Sequence, residues 1–307
     1  MPLSASSSSD SLAAQPVDRS GGEREEPDLL RRVLAVPGTR VLAVRRDAAP
    51  VRDGRLVFVT ADAVPDALPG VREWAFLGRA ADGAAVVLAV LADDADDSAV
   101  ADADWVPLRA SGGDLPDAEA ELLTTAVALA GWVRDAPFCP ACGARTELRH
   151  AGWSRHCPVC GREHFPRTDP AVIVLVTSAA DDDRVLLGAN AAWGGDRYSC
   201  FAGFAEAGES LEDTVAREVN EEANVRLRRV EYRGSQAWPY PRSLMLGFRA
   251  EVVDDAEARA DGEEIVEVRW FTRDEIGAAM RGEGATQLPG PASIARRLID
   301  DWYRGVA

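Results

Sequence analysis

The sequence contains no lysine, because all 34 of its basic residues are arginine. This absence excludes a P-loop lysine, Schiff-base chemistry and a lysine general base. Histidine is scarce as well: only His150, His156 and His164 occur, all within or beside a group of cysteines. No histidine is therefore left for a Ser-His-Asp triad or an H-E-x-x-H zinc protease site. An enzyme of this composition has to work with carboxylates and metal ions.

The sequence also lacks an excess of positive charge and has no long apolar run. The 51 acidic residues exceed the 34 basic ones and give a net charge of −17, which argues against binding nucleic acid or acidic membranes by bulk electrostatics. No apolar run approaches the roughly 20 residues that span a bilayer. The first 20 residues lack the basic leader and apolar core of a secretion signal. We expect a cytoplasmic protein.

The chain is long enough for more than one domain, since it has 307 residues of which 47% are apolar. Residues 1–27 are mainly Ser, Asp, Glu and Gly, a composition that predicts a disordered tail. Residues 28–135 follow as an α/β domain with a helix over 116–132. Its predicted strands are 33–36, 40–44, 56–60 and 86–90. No catalytic cluster is visible there, so a scaffold or dimerisation domain is the simplest interpretation.

A small cysteine module, residues 136–168, separates this domain from a second mixed α/β domain at 169–307. The predicted strands of the second domain are 171–177, 185–187, 244–253 and 265–271. Its predicted helices are 210–223 and 291–303. The overall fold class is therefore α/β (α+β).

Four of the five cysteines form two C-x-x-C pairs separated by 14 residues. They are Cys139, Cys142, Cys157 and Cys160. Four thiolates close the tetrahedral shell of a structural Zn²⁺, and the glycine after each pair lets backbone N–H groups turn toward sulfur. We predict one zinc per chain in a ribbon. The alternatives are a redox-active pair or a nucleic-acid-binding ribbon, whereas the isolated Cys200 is typical of a buried apolar position.

Three carboxylates share one face of the predicted helix at 210–223. Glu218, Glu221 and Glu222 follow each other at i, i+3 and i+4, so they lie within about one turn. Such like charges repel unless hard cations lie between them, and Mg²⁺ or Mn²⁺ takes oxygen ligands of this kind. A solvated, ion-paired helix face is the ordinary interpretation of three glutamates and an arginine. The wider spacing of residues around these glutamates, from Gly203 to Val225, favours a metal site over a solvated face.

That wider spacing resembles the Nudix box, G-x5-E-x7-R-E-U-x-E-E-x-G-U, in which U is aliphatic. The chain matches it at Gly203, Glu209, Arg217, Glu218, Val219, Glu221, Glu222 and Val225. Asn224 stands where the box has glycine, and asparagine is the next-best residue for a positive φ. The resemblance implies a Nudix mixed-sheet α/β/α sandwich as the C-terminal domain.

By the same resemblance, Glu218, Glu221 and Glu222 bind catalytic Mg²⁺ or Mn²⁺, and Arg217 orients these glutamates. Glu222, or a distant glutamate, helps to deprotonate the attacking water. A glutamate before the strand that ends in Trp270-Phe271 completes the metal shell. Glu264 matches it best, with Glu263 as the alternative.

A second motif narrows the substrate. The tract Ser235-Gln-Ala-Trp-Pro-Tyr-Pro-Arg-Ser243 resembles S-Q-P-W-P-F-P-x-S, which marks the NADH pyrophosphatase branch of the Nudix family, with Ala237 and Tyr240 as departures. In this branch an aromatic residue after the box glycine, here Phe204, stacks on the nucleotide base, and Phe165 reaches the site from the ribbon side. The other substrate-binding residues that the resemblance implies are Ile173, Gln236, Trp238, Ser243 and Ala295.

The resemblance implies an enzyme that splits NAD(H) into AMP and nicotinamide mononucleotide and forms a homodimer. It also implies that residues 28–135 are the N-terminal domain of NADH pyrophosphatases, which they match in size and position. Removal of NAD caps from RNA 5′ ends, which family members also carry out, is a further hypothesis. Two other hypotheses remain open. One is a Nudix hydrolase specific for ADP-ribose or another nucleoside diphosphate derivative. The other is a non-catalytic regulator in which the Nudix domain senses a nucleotide and the ribbon binds a partner.

Overall fold

The computed structural model describes residues 17–64, 68, 70–95, 100, 103–111 and 113–306. The chain divides into two compact units between Arg167 and Thr168. In the part of the chain that the structure describes, no helix is both long enough and apolar enough to cross a membrane.

The first unit is built around a five-stranded sheet of order β1-β6-β7-β2-β5, in which β2 and β7 run parallel. Strands β4, β3 and β8 form a second, three-stranded sheet. The strands are β1 Val17–Asp18, β2 Arg40–Val44, β3 Ala48–Arg52, β4 Arg55–Leu56, β5 Val59–Thr60, β6 Val71–Ala80, β7 Ala85–Leu91 and β8 Asp104–Pro107. The helices are α1 Leu29–Leu34, α2 Leu108–Ser111 and α3 Asp117–Asp135, and a 3-10 turn spans Gly21–Glu25.

The first unit differs from the sequence-based predictions near its N-terminus. Residues 17–27 are ordered rather than a disordered tail, because Val17 pairs with Ala80 at the sheet edge and Glu23 accepts two hydrogen bonds from Arg79. The predicted strand at 33–36 is wrong, because Val33 belongs to helix α1. Its side chain packs into the core from that helix. Residues 1–16 of the predicted tail lie outside the described residues.

The cysteine module forms a small sheet of order β11-β10-β9. Its strands are β9 Glu147–Arg149, β10 Ser154–His156 and β11 Glu163–His164. The module packs on the rest of the first unit: the Trp153 indole N–H donates to the Phe76 carbonyl at 2.7 Å, and the buried Arg155 guanidinium donates to the Val133 carbonyl at 2.7 Å. It therefore belongs to the same compact unit as the N-terminal domain.

The second unit is one mixed sheet of order β15-β16-β12-β13-β17, with β14 paired to β12. Its central pair, β12 and β16, runs parallel. The strands are β12 Asp169–Thr177, β13 Arg184–Asn190, β14 Phe201–Phe204, β15 Leu227–Trp238, β16 Ser243–Val252 and β17 Ile265–Thr272. The helices are α4 Leu211–Ala223, α5 Arg273–Met280 and α6 Ile294–Tyr303, and a 3-10 turn spans Asp255–Glu257.

Alternate residues of β12 build the two cores of this unit. Val172 and Val174 face α4, whereas Ile173 and Leu175 face α5 and α6. Because side chains alternate across a strand, a continuous apolar run such as β12 has both faces covered. The mixed sheet between two helical layers confirms the predicted α/β/α sandwich.

Candidate functional site

Local sequence signals determine where helix α4 begins and ends. Ser210 caps its N-terminus, because the Ser210 hydroxyl accepts a hydrogen bond from the Asp213 N–H at 3.1 Å. Asn224 ends the helix in the left-handed region with φ 53°, as predicted. Val215 and Val219 are fully buried against the sheet. The helix is thereby held in one rotation about its axis, in which Glu222 is buried on the same face as these valines.

Arg217 is the centre of an ion-pair network on this helix. Its Nε and Nη2 donate to the two carboxylate oxygens of Glu209 at 2.6 and 2.9 Å. Its Nη1 donates to Glu218 at 2.9 Å and to Glu221 at 3.1 Å, and Nη2 also donates to the Phe204 carbonyl at 2.9 Å. Arg217 therefore ties the loop before the helix to two of its three carboxylates.

Glu209 is the acidic partner that fixes Arg217. The hydrogen bonds from Arg217 lower the pKa of Glu209 to about 2. Its carboxylate also accepts from the Glu206 N–H and the Thr214 hydroxyl, each at 2.9 Å. The sequence analysis matched Glu209 to the Nudix box but did not include it among the functional residues. The spacing of the box was the signal that could have identified its role.

Glu218 lies directly against strand β14. A Cβ added to Gly203 would be 1.9 Å from Cδ of Glu218, so only glycine leaves room for the carboxylate there. Burial raises the pKa of Glu218, although the hydrogen bond from Arg217 opposes this effect. The glycine of the box is therefore required by a close approach to its first helical glutamate.

Glu222 is the most buried carboxylate of the site, with 4% of its surface exposed. Burial, followed by the charges of Glu264 and Glu218, raises its pKa to about 8, while the Ala202 N–H donates to it. Its Oε2 is buried and has no hydrogen-bond partner among the residues that the structure describes. A buried carboxylate oxygen that accepts no hydrogen bond is well placed to act as a ligand of a cation.

Glu264 reaches this group from the loop before β17. Its charge raises the pKa of both Glu222 and Glu218. The side-chain amide of Asn190, at the end of β13, donates to Glu264 Oε1 at 3.4 Å. No sequence signal pointed to Asn190, because this contact joins residues 74 positions apart.

The donor set fits a hard divalent cation, since carboxylate oxygens are the ligands that Mg²⁺ and Mn²⁺ take. In the described ranges the four cysteines are the one group of side chains placed closely enough to hold a metal ion, and their sulfur atoms all lie within 4.8 Å of one another. Glu218 and Glu221 instead form ion pairs with the same nitrogen of Arg217, at 2.9 and 3.1 Å.

The cysteine cluster has the dimensions of a zinc site. The Sγ atoms of Cys139 and Cys160 are 3.6 Å apart, and those of Cys142 and Cys157 are 3.5 Å apart. A tetrahedral Zn–S shell has S–S edges of about 3.8 Å. The backbone N–H of Cys160 lowers the pKa of Cys157 to about 6, which favours the thiolate that binds metal.

The glycine that follows each pair has the predicted conformation. Gly143 has φ 74° and Gly161 has φ 73°, and their N–H groups donate to the carbonyls of Cys139 and Cys157 at 2.8 and 2.9 Å. The fifth cysteine is different: burial raises the pKa of Cys200 to about 12. Cys200 is therefore a buried apolar residue, as its surroundings in the sequence suggested.

The aromatic residues assigned to the substrate are accessible. The Phe204 side chain is 54% exposed at the end of β14, next to Gly203. Phe165 is 48% exposed and belongs to the first unit. Trp238 packs edge-to-face on Tyr240 with 5.2 Å between ring centroids. An exposed ring beside the carboxylates offers a surface on which a base can stack.

The remaining predicted substrate residues are buried or held by backbone contacts. Ile173, Ser243 and Ala295 are each less than 9% exposed. The Gln236 amide donates to the Ala292 carbonyl and accepts from the Ile294 N–H, both at 2.7 Å. Gln236 thus joins β15 to the start of α6, a role that the motif alone did not reveal.

Comparison with protein families matches three consecutive segments of the chain. The NUDIX domain model matches residues 167–289, and the NADH pyrophosphatase zinc ribbon domain model matches 134–165. The NADH pyrophosphatase-like rudimentary NUDIX domain model matches 31–132. The last match gives the N-terminal domain a relationship that no motif within it had indicated.

Individual relatives agree with these matches. The chain is 42% identical to the NAD-capped RNA hydrolase NudC of Mycobacterium tuberculosis over 290 residues, which is 91% of each chain. It is 43% identical over 169 residues to the NAD-capped RNA hydrolase NudC of Pseudomonas aeruginosa, covering 55% of this chain and 56% of that one. A crystal structure of a NUDIX hydrolase from Nitrosomonas europaea aligns with 49% of this chain and 96% of its own at 29% identity, with a TM-score of 0.35.

Proposed function

The chain belongs to the Nudix hydrolases, in the NADH pyrophosphatase branch that includes the NAD-capped RNA hydrolases, and on this premise we propose that it hydrolyses the diphosphate of NAD(H). The products are AMP and nicotinamide mononucleotide. The same reaction at a 5′ end removes an NAD cap from RNA. The observation that carries the proposal is the buried, unpartnered carboxylate oxygen of Glu222 on the box helix, close to the charges of Glu218 and Glu264.

A negatively charged protein needs cations to accept a diphosphate. The chain has a net charge of −17 and therefore repels a negatively charged diphosphate, unless divalent ions neutralise the charge of the diphosphate. We assign Glu218, Glu221, Glu222 and Glu264 as ligands of catalytic Mg²⁺ or Mn²⁺. When bound, such ions neutralise the diphosphate and polarise its oxygens. Arg217 positions the glutamates through the contacts described above.

The chain's own groups can carry out the hydrolysis. A water oxygen attacks one phosphorus atom, the P–O–P bond breaks, and the water proton passes to a carboxylate, for which Glu222 or a more distant glutamate is our candidate. The exposed ring of Phe204 lies one residue beyond Gly203, where it can stack on a base of the substrate.

Three further assignments accompany this function. We propose a structural zinc bound by the four cysteines and a cytoplasmic location, because a four-thiolate site and a fifth cysteine outside any disulfide suit a reducing compartment. We also propose a homodimer. The resemblance to a family that is commonly homodimeric supports it. Light scattering of the purified protein tests the dimer.

Product analysis tests the reaction. The purified protein is incubated with NADH, with and without a chelator, and the products are separated by chromatography. We expect AMP and reduced nicotinamide mononucleotide only when divalent metal is present. Parallel reactions with ADP-ribose and with NAD-capped RNA measure kcat/KM for each substrate. A clear preference for ADP-ribose would overturn the substrate assignment, and no turnover of any substrate would favour the non-catalytic regulator.

A further inference from the structure

Asn224 does more than supply the left-handed conformation that ends helix α4. A glycine at this position of the box could provide the positive φ and nothing else. The Asn224 side chain makes two additional contacts: its Nδ2 donates to the Glu257 carbonyl at 2.9 Å, and its Oδ1 accepts from the Arg259 guanidinium at 3.3 Å. The Arg259 N–H also donates to the Ala223 carbonyl at 3.0 Å. The end of the helix is thus clamped to the loop that precedes β17.

The clamped loop leads directly to Glu264. Two residues after Arg259, the Asp261 carboxylate accepts from the N–H groups of Glu263 at 2.8 Å and Ile265 at 3.0 Å. The Gly262 N–H donates to the Ile265 carbonyl at 3.0 Å. This closed turn contains Glu264. Only residue 260 separates the clamp from the turn, so displacement of the clamp would be transmitted to Glu264.

We propose that Asn224 is a positioning residue that sets the distance between Glu264 and the glutamates of helix α4. Its two side-chain hydrogen bonds join the helix that carries Glu218 and Glu222 to the loop that carries Glu264. The inference rests on the proposed function only in treating Glu264 as a cation ligand. Hydrogen-bonded groups behind metal ligands commonly set the affinity of a site.

The test measures Mn²⁺ binding to the full chain by electron paramagnetic resonance, without substrate. Asn224→Gly keeps the backbone conformation and removes both side-chain contacts, so we expect the affinity for Mn²⁺ to fall about tenfold. Asn224→Asp keeps the acceptor for Arg259 but loses the donor to Glu257, and a smaller loss is expected. Thermal unfolding monitors the fold of each variant.

A double-mutant cycle with Glu264→Gln separates positioning from general damage. If Asn224 acts through Glu264, Asn224→Gly causes no further loss of Mn²⁺ affinity in the Glu264→Gln background. Equal losses in both backgrounds would overturn the inference. If Glu264→Gln alone leaves Mn²⁺ binding unchanged, the failure lies in the assignment of Glu264 as a ligand, which belongs to the proposed function.

Arg226→Ala is the matched control. Arg226 forms an ion pair with Glu257 at 3.3 Å, so the variant disturbs the same loop without touching the Asn224 amide. Exposed pairs of this kind contribute little, and Mn²⁺ affinity should stay at the wild-type value. A loss equal to that of Asn224→Gly would mean that any change in this loop disturbs the site, which would contradict the specific role of Asn224.

Discussion

The Cα of Gly203 and the carboxylate of Glu218 are so close that a Cβ on Gly203 would lie 1.9 Å from Glu218 Cδ. The contact joins strand β14 to helix α4 across 15 positions of sequence. It explains the first glycine of the box by sterics, since Gly203 is not in the left-handed region. The carboxylate of Glu218 rests in space that a side chain would fill.

Gly203→Ala should therefore affect the site more than the fold. The clash is with the flexible end of Glu218, which can turn away, so we expect the free energy of unfolding to change by less than about 1 kcal/mol. The displaced carboxylate should lower Mn²⁺ affinity about tenfold, measured by titration. Gly290→Ala is the control, because a Cβ there meets nothing within 4 Å. Unchanged Mn²⁺ affinity in Gly203→Ala would remove Glu218 from the ligand set.

Glu222→Gln should abolish most activity while the protein stays folded. The amide keeps the shape of the side chain but cannot take a proton or give a cation a charged ligand, so kcat should fall about 10²- to 10⁴-fold. Steady-state kinetics with NADH measure this effect. Glu212→Gln, an exposed change on the same helix, should leave kcat unaltered. Normal turnover by Glu222→Gln would show that the reaction uses another base.

The Glu209–Arg217 pair should make stability depend on acid pH. Glu209 titrates at about 2 in the folded protein, below its ordinary value of 4.5. Its contribution to stability is therefore complete above pH 4.5 and is lost as the pH falls toward 2. Urea unfolding should show Glu209→Gln less stable than wild type at pH 7, with the difference shrinking below pH 4.5. A difference that does not change with pH would contradict the charged contact.

Removing one ribbon thiolate should release zinc. Cys157→Ser leaves three sulfur ligands, and a four-thiolate site of this type contributes on the order of 10 kcal/mol of binding free energy. We expect less than one zinc per chain by elemental analysis and a lower unfolding temperature. Cys200→Ala, which alters a cysteine outside the cluster, should retain the full metal content. Full zinc in Cys157→Ser would refute the four-thiolate assignment.

Much of this fold follows from patterns within short segments. The apolar run 171–177 predicted a strand, and β12 forms there with both of its faces buried. The periodicity of 210–223 and the caps Ser210 and Asn224 predicted α4 nearly to its ends. Such signals are local, because each depends on residues within one or two turns of the chain. The predicted strand at 33–36 failed since a short apolar run suits either a strand or a helix.

The sequence by itself determined the box, the two cysteine pairs and the residue types that can hold metal, because fixed spacing on a helix or a tight turn sets which side chains are neighbours. The tertiary structure alone decided that Glu222 is buried, that the charge of Glu264 raises its pKa, that Asn190 donates to Glu264, and that Val17 and Asp18 pair at a sheet edge. These relationships join segments distant in the chain. Burial, and the pKa shifts that it causes, arise only when those segments pack together.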